Sequence, residues 1–312
     1  MSPWRIIEHG STFIILLCLF FWMAGCKSFK QKNDELPDSS YKGVINVSAD
    51  ESFKPVIDAQ VQVYEANRRA TKIRIQYKPE ADCLKDFGTD SIRMIIATRS
   101  YDEDEKNFMV DSMRVSPESM IVARDAIAVI VNPDAPYTEF TMKDIVEILK
   151  GTFSKNLIPV FDGVKATSTV RFIIDSVLHG SSLTSKAVAA RSSEGVIDYV
   201  SKEPDVVGFI GVSWIGNPED TTQIGSLKKV KMAAIESTDM PGLYVMPSQA
   251  NIYLKRYPMV RDLVYILKEN YKGLGHGFAD FMSGEIGQLI FRRAYLMPAQ
   301  KNFGIRPVRL RE

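Results

Sequence analysis

Three turns of the chain carry hydroxyl side chains where an extended run gives way to a helical pattern: Ser48 and Ser52, Thr98, and Thr167-Ser168-Thr169. The first turn of a helix leaves backbone N–H groups without internal partners and carries a partial positive charge. Hydroxyls placed there can add donors toward an oxyanion, so such turns are ready anion sites. Each residue alone is also an ordinary helix cap. Three such turns facing one crevice could enclose a tetrahedral anion without strong net charge.

Other chemistries find little support. The histidines (His9, His179, His276) and cysteines (Cys18, Cys26, Cys83) show no HExxH or CxxC spacing, so no metal site or metal cofactor is expected. No GxSxG elbow or Ser/His/Asp arrangement supports a hydrolase, and no catalytic residue is assigned. Lys and Arg number 39 against 38 Asp and Glu. That balance gives no global field for nucleic acid, so any anion preference must be local. Cys83 reads as a small buried apolar residue, Trp214 as core, and Lys228, Lys229 and Lys231 as a solvated strand face. Gly273-Leu274-Gly275-His276-Gly277 lacks the lysine of a phosphate loop and reads as a flexible turn before a helix.

The elements that must position the hydroxyls alternate between strand and helix. Strands are expected at Gly43–Ser48, Lys72–Tyr77, Ile92–Thr98, Leu157–Phe161, Val206–Val212, Lys228–Ile235 and Val260–Leu267. A long extended passage follows Met113. Helical faces run through Phe53, Val56, Ile57, Val61 and Tyr64, with Ser52 as cap, and over Phe140–Leu149, with Thr141 as cap and Gly151 as stop. Further helices open at Ala166–Thr169 and cover Ser193–Ser201, Phe278–Met282 and Ile286–Tyr295, while the stretch around Cys83 reads only as polar. Strand–helix alternation with short connections argues for an α/β fold. Two lobes are expected, residues 42–118 with 262–312 and residues 119–261, the chain leaving the first near Met113–Arg124 and returning near Val260–Leu267.

The N-terminus decides the compartment. The apolar run Phe13–Met23 is followed almost at once by Lys27, Lys30 and Lys32, too short for the roughly 20 residues of a spanning helix. It suits the h-region of a signal peptide. Met23-Ala24-Gly25-Cys26 resembles the lipobox of bacterial lipoproteins, which implies a signal peptide over residues 1–25, a lipid on Cys26, and export to the periplasmic face of a bacterial membrane. Membrane contact would then be through that lipid only. Residues 26–41 are polar and read as a flexible tether.

Asn46-Val47-Ser48-Ala49-Asp50-Glu51-Ser52-Phe53 resembles the first ligand loop of the PstS-like phosphate ABC transporter substrate-binding proteins, where a Thr/Ser-Phe pair opens the first helix. Ile95–Arg99 is similar to the family's strand ending in Ala-Ser-Asp. Val160-Phe161-Asp162-Gly163 through Thr167-Ser168-Thr169 stands in the place of its Arg-x-Asp-Gly-Ser-Gly-Thr loop, and Val207–Gly211 matches a later strand. The resemblance implies a two-lobed, type II periplasmic-binding-protein-like fold, each lobe a mixed sheet flanked by helices, joined by two crossover strands. It also implies an ABC permease as partner, a monomer, and phosphate or a similar oxyanion as ligand. The implied ligand residues are Ser52, Phe53, Thr98, Arg99, Thr167, Ser168, Thr169 and Arg171. Arg99 stands where the family has a proton-accepting aspartate, and pairing with Asp102 or Glu103 is its other reading. Arg171 is positioned to supply the guanidinium that the altered loop lacks. A lipid-anchored interaction protein that kept this fold and lost its ligand is the alternative.

Overall fold

The computed structural model describes residues 38–163, 167–217, 219 and 221–300. The expected signal peptide, Cys26, most of the tether, Ala166 and residues 301–312 lie outside the described residues. Ser39–Tyr41, the end of the expected tether, are already tied to the fold: Ser39 and Lys42 form a β-bridge, and the Ser40 carbonyl accepts the Tyr64 hydroxyl at 2.7 Å.

Strand β1 (Gly43–Asp50) leads through a 3-10 turn into helix α1 (Lys54–Asn67), which starts with Pro55 in its first turn and buries Val56, Ile57, Gln60 and Tyr64. Pro at that position lacks only an N–H that would have no partner, so it starts the helix without penalty. β2 (Thr71–Lys78), α2 (Glu80–Asp86) and β3 (Ile92–Ala97) follow, and α3 (Glu103–Phe108) opens with a capping box of Asp102 and Glu105. The long β4 (Glu118–Val131) then carries the chain into the second half of the molecule.

There, β5 (Glu139–Phe140) precedes α4 (Met142–Lys150), which has a Thr141/Asp144 capping box and ends on Gly151 in the left-handed region (φ 73°). β6 (Ile158–Phe161), α5 (Ser168–Phe172), β7 (Val188–Ala189), α6 (Ser193–Val200) and β8 (Val206–Gly211) come next. α7 (Thr221–Lys229), β9 (Lys231–Met232), β10 (Ala234–Glu236), β11 (Tyr244–Val245) and α8 (Gln249–Tyr253) complete that half. The chain returns through β12 (Val260–Leu267), and α9 (Leu274–Ser283), α10 (Glu285–Arg293) and β13 (Met297–Pro298) finish the fold.

One mixed sheet runs β2-β1-β3-β12-β4-β8-β6-β7. β1, β2 and β3 are parallel, β12 lies antiparallel to both β3 and β4, and β6 is parallel to β7 and β8. β4 serves both halves: Glu118–Ala126 pair with β12, and Ile127–Val131 pair with β8. Asp125 and Arg261, side by side on β4 and β12, therefore sit at the junction. The core covers both halves. Tyr64 meets Phe278 and Phe281 edge-on at 5.4 and 5.3 Å, and Phe161 stacks on Phe209 at 5.1 Å.

Four expectations need correction. The polar stretch around Cys83 contains α2, a helix of seven residues that is too short to show a period. Lys228–Ile235 is not one strand: Lys228 and Lys229 close α7, where cations suit the helix C-terminus, and only short strands follow. The Gly273–Gly277 run is the start of α9 rather than a turn ahead of it. The Glu269 carboxylate accepts the N–H of Gly275 and His276 at 2.9 and 3.0 Å, and a Cβ at Gly275 would come within 2.6 Å of it. Finally, Ser52 is not the expected cap: Asp50 accepts the Ser52 N–H at 3.0 Å and caps the turn, which frees the Ser52 hydroxyl to face elsewhere.

Candidate functional site

Six segments deliver side chains, all but Phe53 polar, to the junction of the two halves. From the end of β1 come Asp50, Ser52 and Phe53; from the end of β6, Asp162; from the start of α5, Ser168 and Thr169; from the start of α6, Ser193. β4 contributes Asp125 and β12 contributes Arg261. Ser52, Ser168, Thr169, Asp50 and Asp125 have no exposure at all, and Arg261 retains only 5%.

Arg261 organises this cluster. Its Nε donates to Asp125 Oδ2 at 2.9 Å, and Nη1 donates to Ser168 Oγ at 2.8 Å and Thr169 Oγ1 at 3.2 Å. The guanidinium lies over the Phe53 ring, 5.0 Å from its centre, which supports a desolvated cation. Ser52 Oγ reaches Ser168 Oγ at 3.4 Å and Asp162 Oδ2 at 3.5 Å, and Ser193 Oγ donates to the same Asp162 oxygen at 3.0 Å. Trp214 Nε1 donates to the Ser52 carbonyl at 2.7 Å, so this tryptophan braces the first loop rather than only filling core. Thr167 caps α5 through the Val170 N–H.

The network is incomplete on its own terms. Among the described residues, Arg261 Nη2, Asp50 Oδ2, Asp125 Oδ1 and Asp162 Oδ1 are buried and have no hydrogen-bond partner. Buried polar atoms are normally satisfied, so orphaned donors and acceptors gathered at one junction mark a place where another group is received. Burial pushes the Asp50 carboxyl up to about 7 against the pull of Arg261, with the Glu80 charge adding to the rise. Burial also raises Asp162 and Asp125, opposed by Ser193 and Arg261 respectively. Arg261 is held above its usual value: burial works against its charge, but Asp125 and Asp50 outweigh it. The cluster thus offers a fixed cation, several hydroxyls and, in Asp50, a carboxyl able to exchange a proton near neutrality.

A second cluster adjoins the first. Glu80 Oε1 accepts the Thr98 N–H at 2.8 Å and the Thr98 hydroxyl at 2.5 Å. Arg171 Nε donates to Glu80 Oε2 at 2.5 Å, and its Nη2 donates to Thr98 Oγ1 at 2.6 Å. Burial raises the Glu80 carboxyl, but the hydrogen bonds and charge of Arg171 override it, and the net shift is downward. Beyond lies a cavity of about 620 Å3 bordered by residues of both halves, among them Leu84, Tyr101 and Ile174.

Of the residues expected from sequence, Ser52, Phe53, Ser168 and Thr169 converge on one point, with Thr167 capping beside them. Thr98 and Arg171 belong to the second cluster, where Arg171 reaches the Thr98 hydroxyl, and the guanidinium beside Ser168 and Thr169 is that of Arg261. Arg99 is set apart: both its terminal nitrogens bind Glu105, at 2.7 and 2.9 Å, rather than Asp102 or Glu103. Asp102 is unavailable because it caps α3. Ser48 is likewise engaged, with Asp86. Sequence reasoning missed Arg261, Asp125, Asp50, Glu80 and Ser193. The signal for the first two was a charge of each sign inside two otherwise apolar strands.

A mixed sheet split between two halves, with a central strand common to both and buried polar residues at the junction, defines a two-lobed, binding-protein-like α/β fold. The chain belongs to the PBP superfamily, whose domain model matches residues 36–285. The phosphate-binding protein PstS of Borreliella burgdorferi is 17% identical over 289 residues, covering 88% of this chain and 94% of that protein. Among solved structures, a Clostridium perfringens protein assigned to phosphate ABC transport and crystallised with bound phosphate superposes with a TM-score of 0.67. It shares 18% identity and covers 83% of this chain and all of its own. An ABC-type phosphate transport receptor from Vibrio cholerae gives a TM-score of 0.60 at 18% identity, over 81% of this chain and 99% of that one.

Proposed function

We propose that this protein is an extracytoplasmic solute-binding lipoprotein that captures a small oxyanion, phosphate, between its lobes for an ABC importer, without chemical conversion of the ligand. One observation carries the reading: buried Arg261 keeps Nη2 unpaired while its Nη1 gathers the hydroxyls of Ser168 and Thr169 beside Ser52. A guanidinium with hydroxyls around it is the recognition chemistry of an oxyanion. The unpaired oxygens of Asp50 and Asp162 add acceptors, which a protonated phosphate can use and sulfate cannot. The phosphate-binding names of the relatives point the same way. The ligand residues in this reading are Ser52, Phe53, Ser168, Thr169 and Arg261, with Asp50 or Asp162 taking the ligand's proton.

The rest of the proposal follows from the sequence. Cys26 carries the lipid, residues 1–25 are removed, and the monomeric protein faces the periplasm, with an ABC permease as its partner. Residues 42–118 with 262–312 form one lobe and 119–261 the other, so β4 and β12 are the hinge strands. A scaffold that had lost its ligand would have no use for a buried guanidinium that leaves Nη2 without a partner among the described residues, which favours transport over an interaction role.

Calorimetric titration with phosphate, sulfate, arsenate and molybdate, after partial unfolding and dialysis, tests the reading. Phosphate binding in the wild type and its loss in Arg261→Met is the expected result. Heat from none of the anions, or phosphate binding untouched by Arg261→Met, would defeat it. Phosphate at 100 times its dissociation constant should also raise stability by about 2.7 kcal/mol.

A further inference from the structure

We propose that the clasp of Glu80, Thr98 and Arg171 is the specificity wall of the anion site, which admits an unsubstituted oxyanion and shuts out its organic monoesters. The inference rests on the function proposed above and adds the class of ligand that the site refuses.

The anion-site hydroxyls and the clasp are neighbours along one helix. Ser168 and Thr169 turn to Arg261, while Val170 and Arg171, the next residues of α5, border the cavity. Arg171 crosses to the first half and closes on Glu80 and Thr98 with hydrogen bonds of 2.5 and 2.6 Å. The Glu80 side chain is only 2% exposed, and its charge is near enough to Asp50 to raise that carboxyl. The clasp therefore stands between the buried cluster and the cavity.

Arg171 is committed to this position. Nε and Nη2 are taken by Glu80 and Thr98, and Nη1 lies 3.5 Å from Asp175. It holds the halves together and is not a donor to the anion. Behind it, about 620 Å3 of space is lined by Ala81, Leu84, Tyr101, Val170 and Ile174 together with the charged Lys85, Arg99, Glu105 and Asp175. That volume lies within the range of about 300–1,000 Å3 typical of small-molecule pockets. A phosphate ester whose head reached Arg261 would find apolar room there for its substituent, were the clasp not in the way. To bind, it would have to part Arg171 from Glu80 and leave a buried carboxylate without its cation, which is strongly unfavourable. Inorganic phosphate has nothing to place in the opening and leaves the clasp intact.

The test compares the affinities of inorganic phosphate and phenyl phosphate by titration calorimetry on the whole protein. In the wild type the ester should bind at least about 100-fold more weakly than phosphate, which corresponds to two factors of ten in dissociation constant. Glu80→Gln combined with Arg171→Ala removes both charges, so neither is left buried alone, and should narrow that ratio by about tenfold or more. Adding Ala81→Trp, which fills the cavity, should restore the discrimination. Thr98→Val is a milder opening that keeps the ion pair, and it should narrow the ratio in the same direction. Equal binding of ester and phosphate by the wild type overturns the proposal. So does an unchanged ratio in the double variant, or in Thr98→Val should the double variant fail to fold. No binding of any oxyanion to the wild type would remove the proposed function and this inference with it. Phosphate binding with an unmoved ratio would remove the inference alone.

Discussion

Replacing Asp50 by Asn should make the protein more resistant to unfolding above neutral pH and leave it little changed in acid. Asp50 is fully buried, and its carboxyl is raised from the ordinary 3.8 to about 7 by burial. Below about pH 4 the group is protonated in both folded and unfolded chains, so it does not affect stability. Between about 4 and 7 the unfolded chain gives up the proton while the folded protein keeps it, so stability falls as pH rises. Above 7 the folded protein carries the buried charge and the loss is complete. The separation between 3.8 and about 7, at about 1.4 kcal/mol per pH unit, bounds this loss at ~4 kcal/mol. Asn cannot ionise, yet its Oδ1 can still accept the Ser52 N–H that Asp50 accepts at 3.0 Å. Arg261 keeps its counter-charge in Asp125 at 2.9 Å. Urea unfolding followed by circular dichroism, with phosphate absent, should give matching midpoints at about pH 3, below both values, and a higher midpoint for the variant at pH 8. A stability difference that stays constant from pH 5 to pH 8 would refute the argument, because it would mean that Asp50 is not held protonated by the fold.

Arg99→Ala should change stability by under ~1 kcal/mol and leave phosphate affinity within about twofold, since its pair with Glu105 is partly exposed at 33% and 35%; calorimetry and thermal unfolding check both. Gly208→Ala should destabilise by about 1–3 kcal/mol, because the new Cβ would lie 2.7 Å from Ile130 and 2.8 Å from Val196 and Val200; thermal unfolding reads this directly. Trp214→Phe removes the 2.7 Å bond to the Ser52 carbonyl and should lower stability by about 1 kcal/mol while weakening phosphate binding. Sulfate at millimolar concentration should fail to displace phosphate at pH 8, a point for competition titration.

The hydroxyl turns were legible because Ser and Thr at a strand-to-helix junction have few roles, and Ser52, Ser168 and Thr169 do converge. The sheet was legible as well, since β1, β3, β4, β8 and β12 are apolar runs of strand length. The guanidinium was not. The arginine nearest the altered loop in sequence is Arg171, whereas Arg261 comes from a strand 92 and 93 positions away from the hydroxyls it binds. Its partner Asp125 is 136 positions away. Such pairs appear only once β12 is laid antiparallel against β4, and strand order is a non-local property. Glu80 escaped notice for a different reason: α2 is short, starts after Pro79 without a side-chain cap, and shows no period to anchor its residues.

The placement of the cation on a hinge strand bears on how the protein would close. In the proposed lobes, Arg261 and Asp125 belong to the connecting strands, while Ser52 sits on one lobe and Ser168 and Thr169 on the other. A ligand held by Arg261 is therefore met at the pivot first, where the two partners are fixed to each other whether or not the lobes have moved. Closure then brings the hydroxyls in from both sides, and the ligand favours the closed state by as much as those later contacts add. The Arg171 clasp joins the proposed lobes directly, so it contributes to closure with or without an anion. On this arrangement the strength of the clasp sets how far the empty protein already populates the closed form, and the unpaired groups around Arg261 set how much an anion can add.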